Sequence, residues 1–315
     1  MLKFFLPFLA LINPLYSLEV NSSYMYKYLD HIKEYHKDFV YDNFLTFKNN
    51  VDFIEKHNKD EHSYTLELNQ LSDQKISSNH IIYHHSNSSY EGDDKNIIPP
   101  FSIDWREKDV ITAVKNQGRC GSCWSFSATG SIEAIHAIKT GVLLNISEQQ
   151  LIDCSVDNGN KGCHGGSMDA AFKYVIDNGL CSENDYPYEA MEGQCMDCKE
   201  IVNISDYKDV IQNNEEILKR VVHQQPVSVA IQANLKSFQL YSSGIYSDPT
   251  CGTQLDHGVL IVGYGHDLFH NMDYWIVKNS WGPLWGENGY IRIQRNIENN
   301  SGLCGIAMQP SIPIN

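Results

Sequence analysis

Clusters of basic residues are missing from this chain. Lys and Arg number 24 against 39 Asp and Glu, a net charge of −15, and no basic stripe interrupts the acidic excess. Phosphate-backbone partners select clustered Lys and Arg, so nucleic acid is excluded as the main partner. Long apolar runs are missing too. The run from Phe4 to Ile12 is too short to span a bilayer, and no later segment approaches the ~18 residues that a membrane helix needs. Cysteine is absent from the first third: all nine, at 120, 123, 154, 163, 181, 195, 198, 251 and 304, lie beyond residue 100. Cys120/Cys123 and Cys195/Cys198 have the C-x2-C spacing of a metal site but lack a suitable His partner, so metal binding is a weak competitor. No internal repeat is present.

What is there describes an exported protein. Met-Leu-Lys, the apolar run, Asn13-Pro14 and the small residue Ser17 form the pattern of a secretory signal peptide over residues 1–17. Cysteines in such number suit an oxidising compartment, and an odd count leaves at least one thiol unpaired. N-x-Ser/Thr sequons at Asn21, Asn87, Asn145, Asn203 and Asn299 are consistent with a glycosylating route. The last residues carry no retention tetrapeptide, so lysosome, vacuole and extracellular space are all open destinations.

A chain of 315 residues is long enough for two or three compact units. Phe44, Phe47, Val51, Ile54 and Asn58 recur at helical spacing, which predicts a helix in the segment 23–58. Tyr64 to Leu68 alternates like a short strand. Residues 77–98, rich in Ser, Asn, His and Asp, read as an exposed, cleavable linker that ends at Pro99-Pro100. Beyond it, Trp124, Phe126, Ala128, Ile132, Ile135 and Ile138 form a buried helical stripe closed by Gly141. Helices are also predicted at 147–152 and 168–176. After about residue 206 the pattern changes to strands, at 227–231, 259–262, 274–277 and 290–293. A helical half followed by a strand-rich half argues an α+β fold with a cleft between the halves.

The densest signal is Gln117-Gly118-Arg119-Cys120-Gly121-Ser122-Cys123-Trp124. This octapeptide resembles the signature of papain-family, cathepsin L-like cysteine peptidase precursors, and the resemblance extends over nearly the whole chain. His257 follows 134 residues after Cys123 in Leu255-Asp256-His257-Gly258-Val259, and Asn279 sits in Lys278-Asn279-Ser280-Trp281-Gly282, both similar to family segments. The resemblance implies a papain-like two-domain fold behind a helical prodomain: a helical domain over about 99–206 and a barrel-like domain over about 207–315. It implies an endopeptidase made as an inactive zymogen, with residues 18–98 as the inhibitory propeptide. Cys123 would be the nucleophile, its thiolate favoured at a helix N-terminus, and His257 its base. Asn279 would orient the imidazole under the cover of Trp281, and Gln117 would help bind the oxyanion.

For the substrate, Gly165 and Gly166 in Cys163-His164-Gly165-Gly166 would let an extended chain lie close. Met168, Ala230, Leu255 and Gly258, with Gln309 at the far end, would line an apolar pocket for a hydrophobic P2 residue. The family pattern pairs Cys120 with Cys163, Cys154 with Cys195 or Cys198, and Cys251 with Cys304. Cys181 and the cysteine left over could form an extra bridge. Implied partners are protein and peptide substrates, the chain's own propeptide and cystatin-type inhibitors, for a monomer with no cofactor. The propeptide departs most from the family pattern, because Phe39 and Asn43 stand where Glu and Arg belong. Its packing should therefore rest on contacts other than ion pairs between those positions. Two other classes compete: a catalytically inactive papain-like peptide-binding protein, and a structural disulfide-rich secreted protein. Retention of Cys123, His257, Asn279 and Gln117 together favours the enzyme. No long His-bearing insertion blocks one end of the cleft, which favours an endopeptidase.

Overall fold

The structure, a computed structural model, describes residues 14–75, 81, 90–93 and 97–315. The expected signal peptide lies outside these residues up to position 13, as do Asn87 and most of the linker.

The N-terminal unit contains helices α1 (Pro14–Glu34) and α2 (Tyr41–His57) and strand β1 (Tyr64–Leu66). The stripe predicted for α2 is the one it buries: Phe44, Phe47, Val51 and Ile54, with Asn50. Asn58 ends the helix, and its side-chain amide takes both backbone groups of Leu66, fixing the turn into β1. Aromatic packing replaces the missing ion pairs. Tyr28 on α1 meets Phe39, Phe44 and Phe47 at ring distances of 5.7, 5.6 and 5.2 Å. A separate anchor binds the following turn, where buried Asp73 accepts from Lys37 and lies 3.6 Å from His31.

The main body follows in the order β2 (Ile103–Asp104), α3 (Cys123–Thr140), α4 (Glu148–Cys154), α5 (Met168–Asn178), β3 (Leu180–Cys181), β4 (Glu200–Val202), β5 (Asp206–Asp209), α6 (Glu215–Gln224), β6 (Val227–Ile231), α7 (Lys236–Gln239), β7 (Tyr241–Tyr246), β8 (His257–Asp267), β9 (Met272–Lys278), β10 (Tyr290–Gln294) and β11 (Ser311–Ile314). One core surrounds the helices, with Trp124, Ile132, Leu151, Phe172 and Val175 fully or almost fully buried. A second fills the sheet, around Val229, Ile261, Trp275, Val277 and Ile291. The main sheet runs β1-β7-β10-β9-β8-β6-β11-β5, with β2 added on β8. Among the described residues that path is open, so the barrel-like domain is a sheet whose ends do not pair, not a closed barrel.

Helix α3 joins the two cores. Its small residues let β8 approach: a Cβ on Gly130 would lie 3.1 Å from Leu260, and Ser127 donates to the Val259 oxygen at 2.7 Å. Larger residues there would push the helix away from the strand that carries His257. Gly141 ends α3 with φ +75°, a left-handed turn that favours glycine. The bridges are Cys120–Cys163, Cys154–Cys195, Cys251–Cys304 and the additional Cys181–Cys198, which leaves Cys123 as the free thiol among the described residues.

Candidate active site

Cys123 is the first residue of α3, at the end where unpaired N–H groups concentrate partial positive charge. His257 is the first residue of β8, held in register opposite Ile231. The glycine after it explains how strand and helix meet. A Cβ on Gly258 would stand 3.1 Å from the Trp124 Cα and 3.2 Å from the Cys123 oxygen. With hydrogen there instead, the start of β8 closes directly on the start of α3.

Asn279, at the end of β9, orients the imidazole. Its Oδ1 lies 2.7 Å from His257 Nε2 and also accepts from the Ser280 N–H at 2.8 Å. An amide oxygen only accepts, so Nε2 carries the proton and Nδ1 is the basic atom. Nδ1 is buried without a hydrogen-bond partner among the described residues, as a base awaiting a proton would be. Trp281 covers the pair, its ring 4.8 Å from the imidazole.

Burial dominates the electrostatics of this closed state. It pushes the Cys123 thiol up to about 12, against backbone hydrogen bonds that favour the thiolate. Burial also pulls His257 down to about 4, against the bond to Asn279. Beneath the cover burial therefore favours the neutral form of both groups. Burial disfavours a thiolate–imidazolium pair here, because a charge on either group loses hydration.

Gln117 is buried and held through both its backbone and its side chain. Its backbone N–H donates to the Ser280 oxygen at 2.8 Å and its Oε1 accepts from Ser280 Oγ at 2.6 Å. Its Nε2 donates to the Cys120 oxygen at 2.9 Å, which leaves the second N–H of that nitrogen for another acceptor. The sequence did not single out Ser280, which bonds both Asn279 and Gln117. It also missed a buried charge cluster behind the site, where Lys115 lies 2.7 Å from Glu148 and 3.3 Å from Glu133.

The predicted pocket residues come together in part. Met168 and Ala230 are fully buried in one apolar cluster with Cys123 and Trp124, and Leu255 packs against it. Gly258 adjoins that cluster through the Cys123 and Trp124 backbone. Gly305 ties in the segment before β11, because a Cβ there would meet Leu255 at 2.8 Å and Met308 at 3.0 Å. Gln309 comes next and is buried. Gly165 has φ +106°, and a Cβ on Gly166 would clash with Trp124 at 2.7 Å. A linker residue completes the pocket: Ile81 belongs to the same cluster and bridges Gly166 in parallel. No sequence pattern marked it.

The N-terminal unit covers the rest of the cleft. Strand β1 pairs antiparallel with β7, and Gln70 donates to the Trp281 oxygen at 2.6 Å. Between them lies a cavity of about 810 Å³, lined by Tyr35, Lys37 and Gln74 on one side and by Gln117, Arg119, His257 and Trp281 on the other.

Comparison with known proteins follows this division. Residues 99–314 match the papain family cysteine proteases, and residues 24–76 match the cathepsin propeptide inhibitor domain. A cysteine proteinase of Arabidopsis thaliana is 45% identical over 284 residues, 86% of this chain and 61% of the relative. Oryzain beta chain of Oryza sativa subsp. japonica is 53% identical over 218 residues, covering 68% of this chain and 46% of its own. Vignain of Ricinus communis is 44% identical over 289 residues, 86% and 79% of the two chains. The chain thus spans about half to two thirds of the length of the first two relatives. Among solved structures, the proform of the ragweed pollen cysteine protease Amb a 11 superposes with a TM-score of 0.85 at 39% identity, covering 94% of this chain and 96% of that one. The recombinant stem bromelain precursor gives 0.82 at 38% identity, covering 93% and 99%.

Proposed function

Because the chain belongs to the papain family of cysteine proteases, we propose that it is a cysteine endopeptidase held inactive by its own N-terminal unit. One observation carries the reading: an imidazole fixed by Asn279, with Nδ1 free, on a strand that closes against the helix opened by Cys123. When the cover leaves, water and substrate dipoles reach the site and the burial penalty on both charges falls. The thiol proton then passes to Nδ1, and the helix N-terminus supports the thiolate.

Sγ attacks the scissile carbonyl carbon, and the carbonyl oxygen takes the electron pair. The Cys123 N–H and the second Gln117 N–H receive that oxyanion, each such donor contributing about two to three orders of magnitude in rate. Collapse breaks the C–N bond while Nδ1 gives its proton to the amine, which leaves an acyl-enzyme. Nδ1 then takes a proton from water, the oxygen attacks the acyl carbon, and the carboxylic product leaves as Sγ regains the imidazole's proton. All four roles are filled, which counts against an inactive peptide-binding relative.

Residues 18–98 act as the propeptide and 99–315 as the peptidase, its halves dividing near residue 206. Ile81 lies where a substrate's P2 side chain would enter, so the pocket of Met168, Ala230, Leu255 and Gly258 prefers an apolar P2 such as Leu or Phe. The chain enters the secretory pathway by the segment 1–17 and carries glycans at exposed sequons such as Asn145, Asn203 and Asn299. It acts as a monomer in a lysosome-like, vacuolar or extracellular setting, open to cystatin-type inhibitors.

The test is to incubate the precursor at about pH 5 with mild reductant, beside Cys123→Ser, and to assay a fluorogenic Leu-Arg peptide. Turnover that appears as the N-terminal unit is lost, and that the variant lacks, is expected. A correctly trimmed, folded protein without turnover overturns the reading.

A further inference from the structure

We propose that Tyr188 is a positioning residue for the oxyanion site, one hydroxyl setting the spacing between the two N–H donors on Gln117 and Cys123. The inference rests on the peptidase reading above. The Tyr188 hydroxyl lies 2.7 Å from the Gln117 backbone oxygen and 2.7 Å from Ser122 Oγ. A carbonyl oxygen only accepts, so Tyr188 donates to Gln117, and Ser122 donates to the phenolic oxygen.

These contacts sit at the two ends of one short loop. Gln117 supplies the side-chain donor, and Ser122 immediately precedes Cys123, which supplies the backbone donor. Ser122 is also the N-cap of α3, yet its side chain makes no cap hydrogen bond. A residue type favoured for capping has been turned to Tyr188 instead. Inside the loop, Gln117 Nε2 bonds the Cys120 oxygen and Cys120 is tied to Cys163. From outside, the phenolic oxygen is the atom that touches both ends.

Tyr188 is itself fixed by contacts that do not involve the site. Its ring stands edge-on to Phe126 at 4.9 Å, and its backbone N–H donates to Glu183 at 2.9 Å. Burial pushes its hydroxyl up to about 12 against the opposing Ser122 hydrogen bond, and the nearby Glu148, Cys123 and Glu183 act with burial. It therefore stays a neutral donor wherever the enzyme works. Donors aimed at a developing oxyanion lose effect steeply with displacement, and about 1 Å of misplacement costs on the order of a hundredfold. Relaxing the loop by a fraction of that distance is worth about tenfold.

The experiment uses the full chain, acid-activated, with competent sites counted by an epoxide-type thiol inhibitor. Wild type, Tyr188→Phe, Gln117→Ala and the double variant are compared. Phenylalanine keeps the packing on Phe126 and deletes the shared hydroxyl. Expected for Tyr188→Phe are a kcat lower by about tenfold per titrated site, KM within about twofold and unmoved pH limits of kcat/KM. In the Gln117→Ala background the same change should cost less than about twofold, because the donor it positions is gone. An equal loss in both backgrounds, or unchanged kcat per site with fewer sites, reduces Tyr188 to a packing residue and overturns the proposal. If Tyr188→Phe does not fold, Ser122→Ala removes one contact alone: a loss of about threefold in kcat supports the role, and full kcat overturns it. A wild type without turnover overturns the peptidase reading and this role together. A working wild type with fully active Tyr188→Phe overturns this role alone.

Discussion

At the scale of single residues, the site depends on a few hydrogen bonds whose loss can be sized. Asn279 donates nothing to the imidazole and only holds it, through one 2.7 Å bond. A bond of that kind in a buried site is worth about 1.5–3 kcal/mol once the ring is charged, or about ten- to a hundredfold in rate. Asn279→Ala should therefore lower kcat/KM by that factor while the epoxide still labels Cys123, measured as rate against titrated sites. Ser280→Ala should cost less, about three- to tenfold. It removes one of the two bonds that hold the Gln117 amide but keeps the one to Cys120 and the backbone bonds to Gln117 and Asn279. The residues proposed as nucleophile, base and orienter, and Gln117, stood out because their neighbours in sequence are distinctive. Ser280 and Tyr188 were not, since their bonds to Gln117 reach across 163 and 71 positions. A serine or tyrosine carries no local mark of such a partner.

At the scale of elements, periodicity identified what is regularly patterned and missed what is not. The stripe of α2 and the span of β6 were readable from residue spacing alone. Strand β8 was expected at 259–262 yet starts at His257, because pairing with β6 continues to Ile231 and Ala230 beyond the apolar run. Strand β7 is interrupted by Ser242, Ser243 and Gly244, and β11 contains Pro313, so neither shows a strand pattern. Strand β7 matters most, since it receives β1 from the covering unit. Its Gly244 has φ +93°, and a Cβ there would lie 2.3 Å from the Ser63 oxygen. Gly244→Ala should accordingly weaken docking of the N-terminal unit. The expected signs are trimming at a higher pH and inhibition at least tenfold weaker by the isolated propeptide, measured on the mature enzyme. The aromatic core of that unit gives a second test. Phe47 is fully buried against Tyr28 and His31, so Phe47→Ala should cost about 3–5 kcal/mol and unfold the unit, with loss of latency as the readout.

At the scale of the whole molecule, an α+β body with a cleft was legible, but the lacing of its halves was not. Strand β2, from the helical half, pairs with β8, and β11 at the C-terminus pairs with both β5 and β6. Such pairings join residues far apart in sequence and leave no composition signal. The same scale decides how acid opens the precursor. In the closed state the site holds one proton on Cys123 and none on Nδ1; as an open ion pair it holds one on Nδ1 and none on sulfur. Opening therefore takes up no net proton on this pair, and the covering unit carries groups that give acid sensitivity. Two groups there supply it. Burial lowers His57 below its ordinary value of about 6.5, against its bond to the Tyr64 oxygen, so the released form binds more protons as pH falls through that value. Burial alone would raise Asp73, but the Lys37 hydrogen bond and the nearby His31 ring outweigh it and hold the carboxylate below the usual range. Its contribution is complete above the unfolded value of about 3.9 and is lost as pH falls through the lower folded value. Docking should thus weaken in two stages, as pH falls below the ordinary His value of about 6.5 and again below about 4. His57→Gln should flatten the upper stage alone. Asp73→Asn should abolish the lower stage and weaken docking at every pH, since Lys37 then faces no charge. Titrating propeptide inhibition of the mature enzyme from about pH 7 to 3 separates the two. A single steep transition unmoved by either variant would place the acid trigger elsewhere.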